Sequence, residues 1–78
     1  MDHFPAQIRA ARELIGCSQA TLAEKAEIAR DTLIQVEAGR SHSERTRKLI
    51  VAALLAEGVE LLVDTERGRY GVVMTTDR

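Results

Sequence analysis

The sequence is poor in the residues that build disulfides, metal sites and aromatic binding surfaces. It contains one cysteine and two histidines, so an internal disulfide is excluded and the usual four-ligand zinc site cannot be completed from thiols and imidazoles. Aromatic residues make up 3% of the chain, which disfavours a base-stacking surface for single-stranded nucleic acid. Neither a nucleophile–base pair nor a glycine-rich phosphate loop is visible. We therefore expect no enzymatic activity, no metal, no cofactor and no small-molecule ligand.

Long apolar segments are lacking as well. The longest apolar run covers residues 49–56, which is too short to cross a bilayer, and no basic stretch followed by an apolar one is visible near the start. The single cysteine, Cys17, lies at a predicted helix junction and is interpreted as a small packed side chain rather than a redox sensor. These features predict a cytoplasmic protein without a membrane partner.

The chain has no strong excess of charge of either sign, but its charges are unevenly distributed. The formal net charge is −1. Residues 30–48 carry five basic and three acidic side chains, whereas residues 49–78 carry three basic and five acidic ones. The basic middle suits contact with a phosphate backbone. The overall balance disfavours a protein that packages DNA non-specifically, because packaging relies on neutralising phosphates.

Apolar periodicity and capping residues predict a mainly α fold, with four helices followed by a short C-terminal β-hairpin or strands. The predicted elements are a helix from Pro5 to a stop at Gly16, a short helix capped by Ser18, a tight turn over residues 27–29, helices over about 30–38 and 44–57, and strands over 59–63 and 70–75. We expect a helix-turn-helix DNA-binding bundle over residues 1–58 and a β extension over residues 59–78 that serves dimerisation.

The third predicted helix carries an outward face with mixed chemistry. At about 100° per residue, Arg30, Asp31, Ile34 and Gln35 fall on one side, opposite the apolar side of the helix. A guanidinium, a carboxylate, a branched alkyl group and a carboxamide can read guanine, cytosine, thymine and adenine, respectively, in the major groove. Single exposed apolar residues are common, so Ile34 alone decides nothing. Two short helices joined by a three-residue turn, with such a face on the second, predict a helix-turn-helix that reads double-stranded DNA.

The segment from Ile8 to about Leu61 resembles the lambda-repressor/Cro-like, XRE-type helix-turn-helix family. The matching parts are the pattern R-x-x-x-G-x-S-Q-x-x-L-A, the turn that follows, and the run TLIQVEAGR. The resemblance implies a DNA-binding transcriptional regulator. In it, Gln19 matches a glutamine that contacts phosphate and a base edge, Arg40 matches a phosphate contact, and the outward face of the third helix matches the base-reading positions. The full predicted set of DNA contacts is Ser18, Gln19, Arg30, Asp31, Thr32, Ile34, Gln35, Arg40, Ser41 and His42.

Other matching positions are structural or depart from the family pattern. Arg12 and Glu37 match a pair that forms an internal salt bridge between the first and third helices. The turn position usually held by glycine is Glu27, and the usual Ser or Thr cap of the third helix is Ala29. Asp31 offsets the missing cap if its carboxylate interacts with the helix N-terminus, so base contact and helix capping remain alternatives for this residue.

Arg47 is a further departure, since the family often has an apolar residue at this position. Its neighbours in the loop also carry alternative roles. Ser41 and Ser43 can donate to phosphates or cap the fourth helix, and His42 is either a phosphate contact or an ordinary loop residue. The sequence alone does not choose between these roles.

The fourth helix and the strands carry more apolar surface than one face can bury. Because residues 49–56 are apolar without a break, apolar groups point all round this helix. The extra face is covered either by the chain's own hairpin or by a second subunit, and we expect a homodimer that reads a palindromic operator as a repressor. The predicted dimer contacts are Val51, Leu55, Leu61, Val63, Val72 and Met74. The alternative is an antitoxin-type protein-interaction module, which binds a toxin or another regulator and for which DNA binding is accessory.

Overall fold

Four helices and a two-stranded antiparallel hairpin make up the protein, in a computed structural model that describes residues 2–75. The elements are α1 (Phe4–Ile15), α2 (Gln19–Ala26), α3 (Arg30–Glu37), α4 (Glu44–Ala56), β1 (Val59–Asp64) and β2 (Arg69–Met74). This order confirms the predicted mainly α fold. Of the predicted β extension, residues 76–78 lie outside the described residues. Among the helices described, none has the length and apolarity needed to cross a bilayer.

Local capping determines where the helices begin and end. The hydroxyl of Ser18 accepts a hydrogen bond from the backbone N–H of Thr21 at the start of α2, and Ser43 does the same with Thr46 at the start of α4, each at 3.0 Å. Each bond satisfies one of the backbone donors that a helix N-terminus leaves free. Gly16 ends α1 with a φ of 63°, a left-handed conformation that glycine adopts without strain.

The turn between α2 and α3 departs from ideal geometry at both of the positions that the sequence singles out. Glu27 has a φ of 59° and occupies the left-handed region, which costs a non-glycine residue roughly 1–2 kcal/mol. Ala29 precedes α3 without a side-chain cap. Asp31 lies in the first turn of α3, where a negative charge interacts favourably with the helix dipole. The start of α3 therefore has no capping hydrogen bond from a side chain, and the charge of Asp31 lies where it can support the helix instead.

The core is formed by all four helices and the first strand. Its largest fully buried side chains are Phe4, Ile8, Leu22, Leu33, Val36, Ile50, Leu54 and Val59. Within this arrangement α2 packs on α3 and α4, α1 packs on α3 and β2, and β1 packs on α4. Cys17 packs against the edge of the core, and burial raises the pKa of its thiol. A raised pKa keeps the thiol protonated and poorly nucleophilic.

The hairpin joins the helices through apolar packing and one buried amide. Leu61 pairs with Val72 and both pack against the core, while the next cross-strand pair is Leu62 with Gly71. Gln7 of α1 is 5% exposed, and its Nε2 donates to the backbone carbonyls of Leu62 and Gly71 at 2.9 and 3.0 Å. This amide therefore ties the first helix to both strands at once.

The residues predicted to form the dimer surface differ in their burial. Val51, Leu61 and Val72 are partly buried against the chain's own core, because alternation along the strands directs Leu61 and Val72 toward the helices. Part of their surface is therefore covered within one subunit, and their role in a dimer stays a prediction. The large apolar residues that are exposed on α4 and the hairpin are Leu55, Leu62, Val63, Tyr70, Val73 and Met74, of which Leu62, Tyr70 and Val73 are not among the predicted dimer contacts.

Candidate nucleic-acid interface

Helix α3 presents the predicted reading face because its opposite side is anchored in the core. Leu33 and Val36 are 0% and 1% exposed. The opposite side leaves Arg30, Asp31 and Gln35 exposed. The remaining predicted contacts on this helix, Thr32 and Ile34, are half-buried. A guanidinium, a carboxylate and a carboxamide therefore reach solvent from one face, with an isoleucine beside them.

An internal ion pair fixes α3 relative to α1. Arg12 donates to the two carboxylate oxygens of Glu37 through Nε and Nη2, both at 2.8 Å, which is the strong bidentate geometry. The Glu37 side chain is 3% exposed, and the hydrogen bonds to its carboxylate raise the pKa of Arg12. Arg9 also donates to the backbone carbonyl of Glu37 at 2.6 Å. Sequence reasoning missed Arg9, since an arginine on an exposed helix face gives no signal of this contact.

The glutamine that begins α2 joins the same network. Gln19 donates from Nε2 to Oε1 of Glu37 at 3.2 Å. Since a carboxylate can only accept hydrogen bonds, the amide nitrogen must face it, which leaves the Gln19 oxygen and one N–H for another partner. Ser18 uses its hydroxyl differently, because it both caps α2 and donates to Thr21 Oγ1 at 3.0 Å. Ser18 therefore stabilises the helix start, and its hydroxyl donor is already engaged.

At the other end of the reading face, Arg40 contacts Gln35. Arg40 Nη1 donates to Gln35 Oε1 at 3.0 Å, and both side chains are exposed. The backbone brings them together: Gly39 has a φ of 85°, and the Arg40 N–H then donates to the Gln35 carbonyl at 3.0 Å. This is the Schellman arrangement that closes helix C-termini. Two predicted DNA contacts are thus neighbours in the structure.

The matching family model supplies the identity of this region. It is described as helix-turn-helix and matches residues 8–54, which run from the middle of α1 almost to the end of α4. The chain belongs to the XRE-type helix-turn-helix family. Members of this family are DNA-binding regulators, so the protein is a DNA-binding helix-turn-helix regulator. Among curated proteins, no match to the chain is found.

In this helix-turn-helix, Arg47 of α4 contacts both the loop after α3 and the start of α1. It is the residue that departs from the apolar one expected at this position. Its guanidinium carbon lies 4.1 Å from the centre of the Phe4 ring, and its Nη2 lies 3.2 Å from Asp2 Oδ1. Hydrogen bonding to Arg47 is the main cause that lowers the pKa of Asp2, and the N–H of Phe4 adds to it. The aromatic ring and the carboxylate together accommodate a cation at this position.

His42 connects this cluster to the end of α3. Its Nδ1 lies 3.3 Å from the carbonyl oxygen of Arg40, and its Nε2 lies 3.4 Å from Arg47 Nη1. Both contacts are satisfied by the neutral tautomer with the proton on Nδ1, because a carbonyl only accepts and a guanidinium only donates. The ring also stacks on Phe4. His42 is therefore part of the loop's internal packing, while Ser41 beside it is exposed.

Proposed function

We propose that this helix-turn-helix regulator is a cytoplasmic homodimeric repressor, which places α3 in the major groove and reads a palindromic operator. The observation that supports it is the exposed polar face of α3 on a helix whose other side is fully buried. A two-fold dimer reads half-sites about 34 Å apart, one turn of the duplex. Repression then follows from occupying a promoter.

Base reading falls to Arg30, Ile34 and Gln35. Asp31 contributes either a base contact or its charge to the start of α3. Thr32, Gln19, Ser41 and the exposed basic side chains beside them would hold the phosphate backbone. Those basic side chains are Arg40, Arg45 and Lys48. Because phosphate contacts release condensed counterions, the affinity should fall steeply as salt increases.

The dimer is proposed to form through the hairpin, whose outer edges pair with no further strand among residues 2–75. The Thr75 N–H donates to the Gly58 carbonyl, so residues 58 and 75 form a hydrogen-bonded pair, and such pairs alternate with open ones along an antiparallel ladder. It follows that the backbone groups of alternate residues turn outward, namely those of Val59, Leu61 and Val63 on β1 and of Tyr70, Val72 and Met74 on β2. Unpaired edges of this kind accept another strand.

Charge favours the edge of β2 over that of β1. The β1 strand carries Glu60 and Asp64 and no basic residue, so pairing two β1 strands would bring four carboxylates onto one short ribbon, and nearby like charges destabilise a sheet. Pairing two β2 strands about Val72 sets Tyr70 opposite Met74 and brings no acidic residues together. We therefore place the two-fold axis beside β2.

Sequence-specific binding is tested by selection from a pool of randomised duplexes, followed by titration of the selected site against random duplex. We expect clear discrimination by the wild type, with Arg30→Ala and Gln35→Ala each losing roughly 1–3 kcal/mol of it at one base position. Arg67→Ala removes a basic residue in the hairpin turn, remote in sequence from α3, and should leave discrimination unchanged. Equal affinity of the wild type for selected and random duplex would end the proposal of an operator-specific repressor.

The dimer is tested with proline at strand edges, because proline removes a backbone donor but is tolerated where that N–H is not part of the ladder. Met74→Pro deletes an outward N–H on β2, and Val63→Pro deletes one on β1. By sedimentation velocity, we expect the wild type and Val63→Pro to be dimers and Met74→Pro to be monomeric. A monomeric wild type, or a dimer that survives Met74→Pro and not Val63→Pro, contradicts the β2 interface.

The second candidate, an antitoxin-type interaction module, is supported by a separate observation. Pairing at a strand edge extends the sheet but leaves its outer face open, and there Leu62 and Val73 are 48% and 42% exposed. A protein partner would cover this face. Co-purification of another protein at fixed stoichiometry, lost in Leu62→Ser but retained in Gln35→Ala, would favour this function over an independent repressor.

A further inference from the structure

Gln7 is a buried amide among the apolar side chains that α1 turns toward the core. It is 5% exposed, and its neighbours Phe4 and Ile8 on the same helix are buried as well. Its Nε2 donates to the backbone carbonyls of Leu62 and Gly71 at 2.9 and 3.0 Å. Burying an amide costs free energy that an apolar side chain of similar size does not incur. Gln7 is therefore expected to contribute something that apolar packing cannot.

The contribution of Gln7 is direction. Leu62 and Gly71 form one cross-strand pair of the hairpin, and the amide nitrogen has two hydrogens, one for each carbonyl. The apolar contacts that Leu61 and Val72 make with the core are non-directional, so they tolerate small shifts of the hairpin. Hydrogen bonds weaken steeply when their distance or angle changes. Two of them to a single pair of residues therefore fix one position of the hairpin along α1.

The same helix also holds the reading helix α3. Arg12 makes its bidentate ion pair with Glu37 at the end of α3, and Arg9 donates to the backbone carbonyl of Glu37. Residues 7 and 12 lie about 7.5 Å apart along the helix axis, at a rise of 1.5 Å per residue. One helix thus carries directional contacts to the hairpin and, less than two turns away, directional contacts to α3.

We propose that Gln7 is a positioning residue that sets the spacing of the two DNA half-sites. The inference rests on the proposed dimer, whose two-fold axis lies beside β2. In that dimer, one path from the axis to α3 runs through Gln7 to α1 and through Arg12 and Glu37 to α3. Each base pair added between the half-sites moves one of them by about 3.4 Å and turns it by about 34°. A dimer with a fixed path accepts only one spacing.

The test uses the full chain and a pool of randomised duplexes, from which the wild-type site is selected. Versions of this site with one base pair inserted or removed at its centre are then titrated. We expect the wild type to lose roughly a hundredfold in affinity on either change, because only one half-site can then be engaged. Gln7→Leu should lose about tenfold or less, since a hairpin that shifts on α1 lets both α3 helices reach their half-sites.

Ala53→Gly is the matched control for a general loss of stability. Ala53 is buried in the middle of α4, and glycine there costs about 1 kcal/mol while leaving the Gln7 amide in place. The control should keep the hundredfold spacing penalty of the wild type. Gln7→Met removes the same two hydrogen bonds with a differently shaped side chain and should behave like Gln7→Leu.

Three results overturn the inference while leaving the dimer intact. They are a wild type that binds all spacings equally, a hundredfold penalty retained in both Gln7→Leu and Gln7→Met, and an equal relaxation in Ala53→Gly. A wild type that sediments as a monomer removes the proposed dimer itself, and this inference with it. That result is obtained before any spacing is changed, so the two failures are distinguishable.

Discussion

The helices and the hairpin differ in how far their apolar side chains are buried. In the helices, Ile8, Leu33 and Leu54 are completely buried, whereas Val63 and Val73 of the hairpin remain 55% and 42% exposed. The family match covers residues 8–54 and stops before the hairpin. The helices thus bury most of their apolar side chains in a core that they share with Val59, while the hairpin carries apolar surface that residues 2–75 do not cover.

The sharpest way to disrupt the helical part is to remove Glu37. In Glu37→Ala, the half-buried Arg12 loses both of its carboxylate contacts and Gln19 loses its partner, so we expect a loss of about 3–5 kcal/mol in the free energy of unfolding. Chemical denaturation measures it. Glu24→Ala, an exposed change on α2, should stay within about 0.5 kcal/mol. A Glu37→Ala loss as small as that of the control would mean that the ion pair does not hold α1 to α3.

A pair of leucine truncations tests the comparison directly. Leu54 is 0% exposed and Leu62 is 48% exposed, so Leu54→Ala should cost about 2–5 kcal/mol and Leu62→Ala about 0.5 kcal/mol or less. Thermal unfolding at low and high protein concentration gives both values. If Leu62→Ala costs as much as Leu54→Ala at high concentration, then the outer face of the hairpin is buried in an assembly.

Replacing Gln7 tests whether the hairpin and the helices can open independently of each other. Gln7→Leu keeps the side-chain volume but removes both hydrogen bonds to the hairpin carbonyls, and we expect a loss of about 1–2 kcal/mol. Amide hydrogen exchange should accelerate in β1 and β2 more than in α2 and α3. Gln35→Leu changes an exposed glutamine in the same way and should alter neither stability nor hairpin exchange. Uniform acceleration across the chain would show that hairpin and helices open as one unit.

The smallest expected effect concerns Asp2, which pairs with Arg47. The lowered pKa of Asp2 means that its ion pair stabilises the fold above the ordinary value of 3.8, and that this contribution is lost as the pH falls through the lower folded pKa. Because the Asp2 side chain is 53% exposed, the contribution should be at most about 1 kcal/mol. Asp2→Asn should lower the melting temperature slightly at neutral pH and match the wild type in strong acid. A difference that persists in acid would point to the Phe4 N–H contact instead.

The limits of the helices could be predicted from the sequence because the signals that set them are local. Ser18, Gly16 and the apolar spacing of α1 and α3 specify helix limits within a few neighbouring residues, and the structure follows them. The ion pair of Arg12 with Glu37 could be predicted only through the family resemblance, since nothing local connects residues so far apart in the chain, and its bidentate geometry is seen only in the structure.

The buried face of the hairpin was harder to predict from the sequence, because it depends on how the strands pack on the helices. Alternation from Val59 separates Leu61 from Leu62, but only the position of the helices shows which of them is covered. The contacts of Gln7 and Arg9 were missed for a related reason. Each is a polar residue on a helix whose partner is a backbone carbonyl. Since every residue has such a carbonyl, the sequence does not indicate which one accepts the hydrogen bond.

The buried amide of Gln7 also sets an order of events during synthesis. Its partners lie 55 and 64 residues later in the chain. On a translating ribosome, α1 is therefore complete long before Leu62 and Gly71 exist, and its amide cannot form these bonds until then. Because such contacts close some of the longest loops among residues 2–75, they carry a high entropic cost to form early. We therefore expect α1, although it is synthesised first, to complete its packing against the hairpin late in folding.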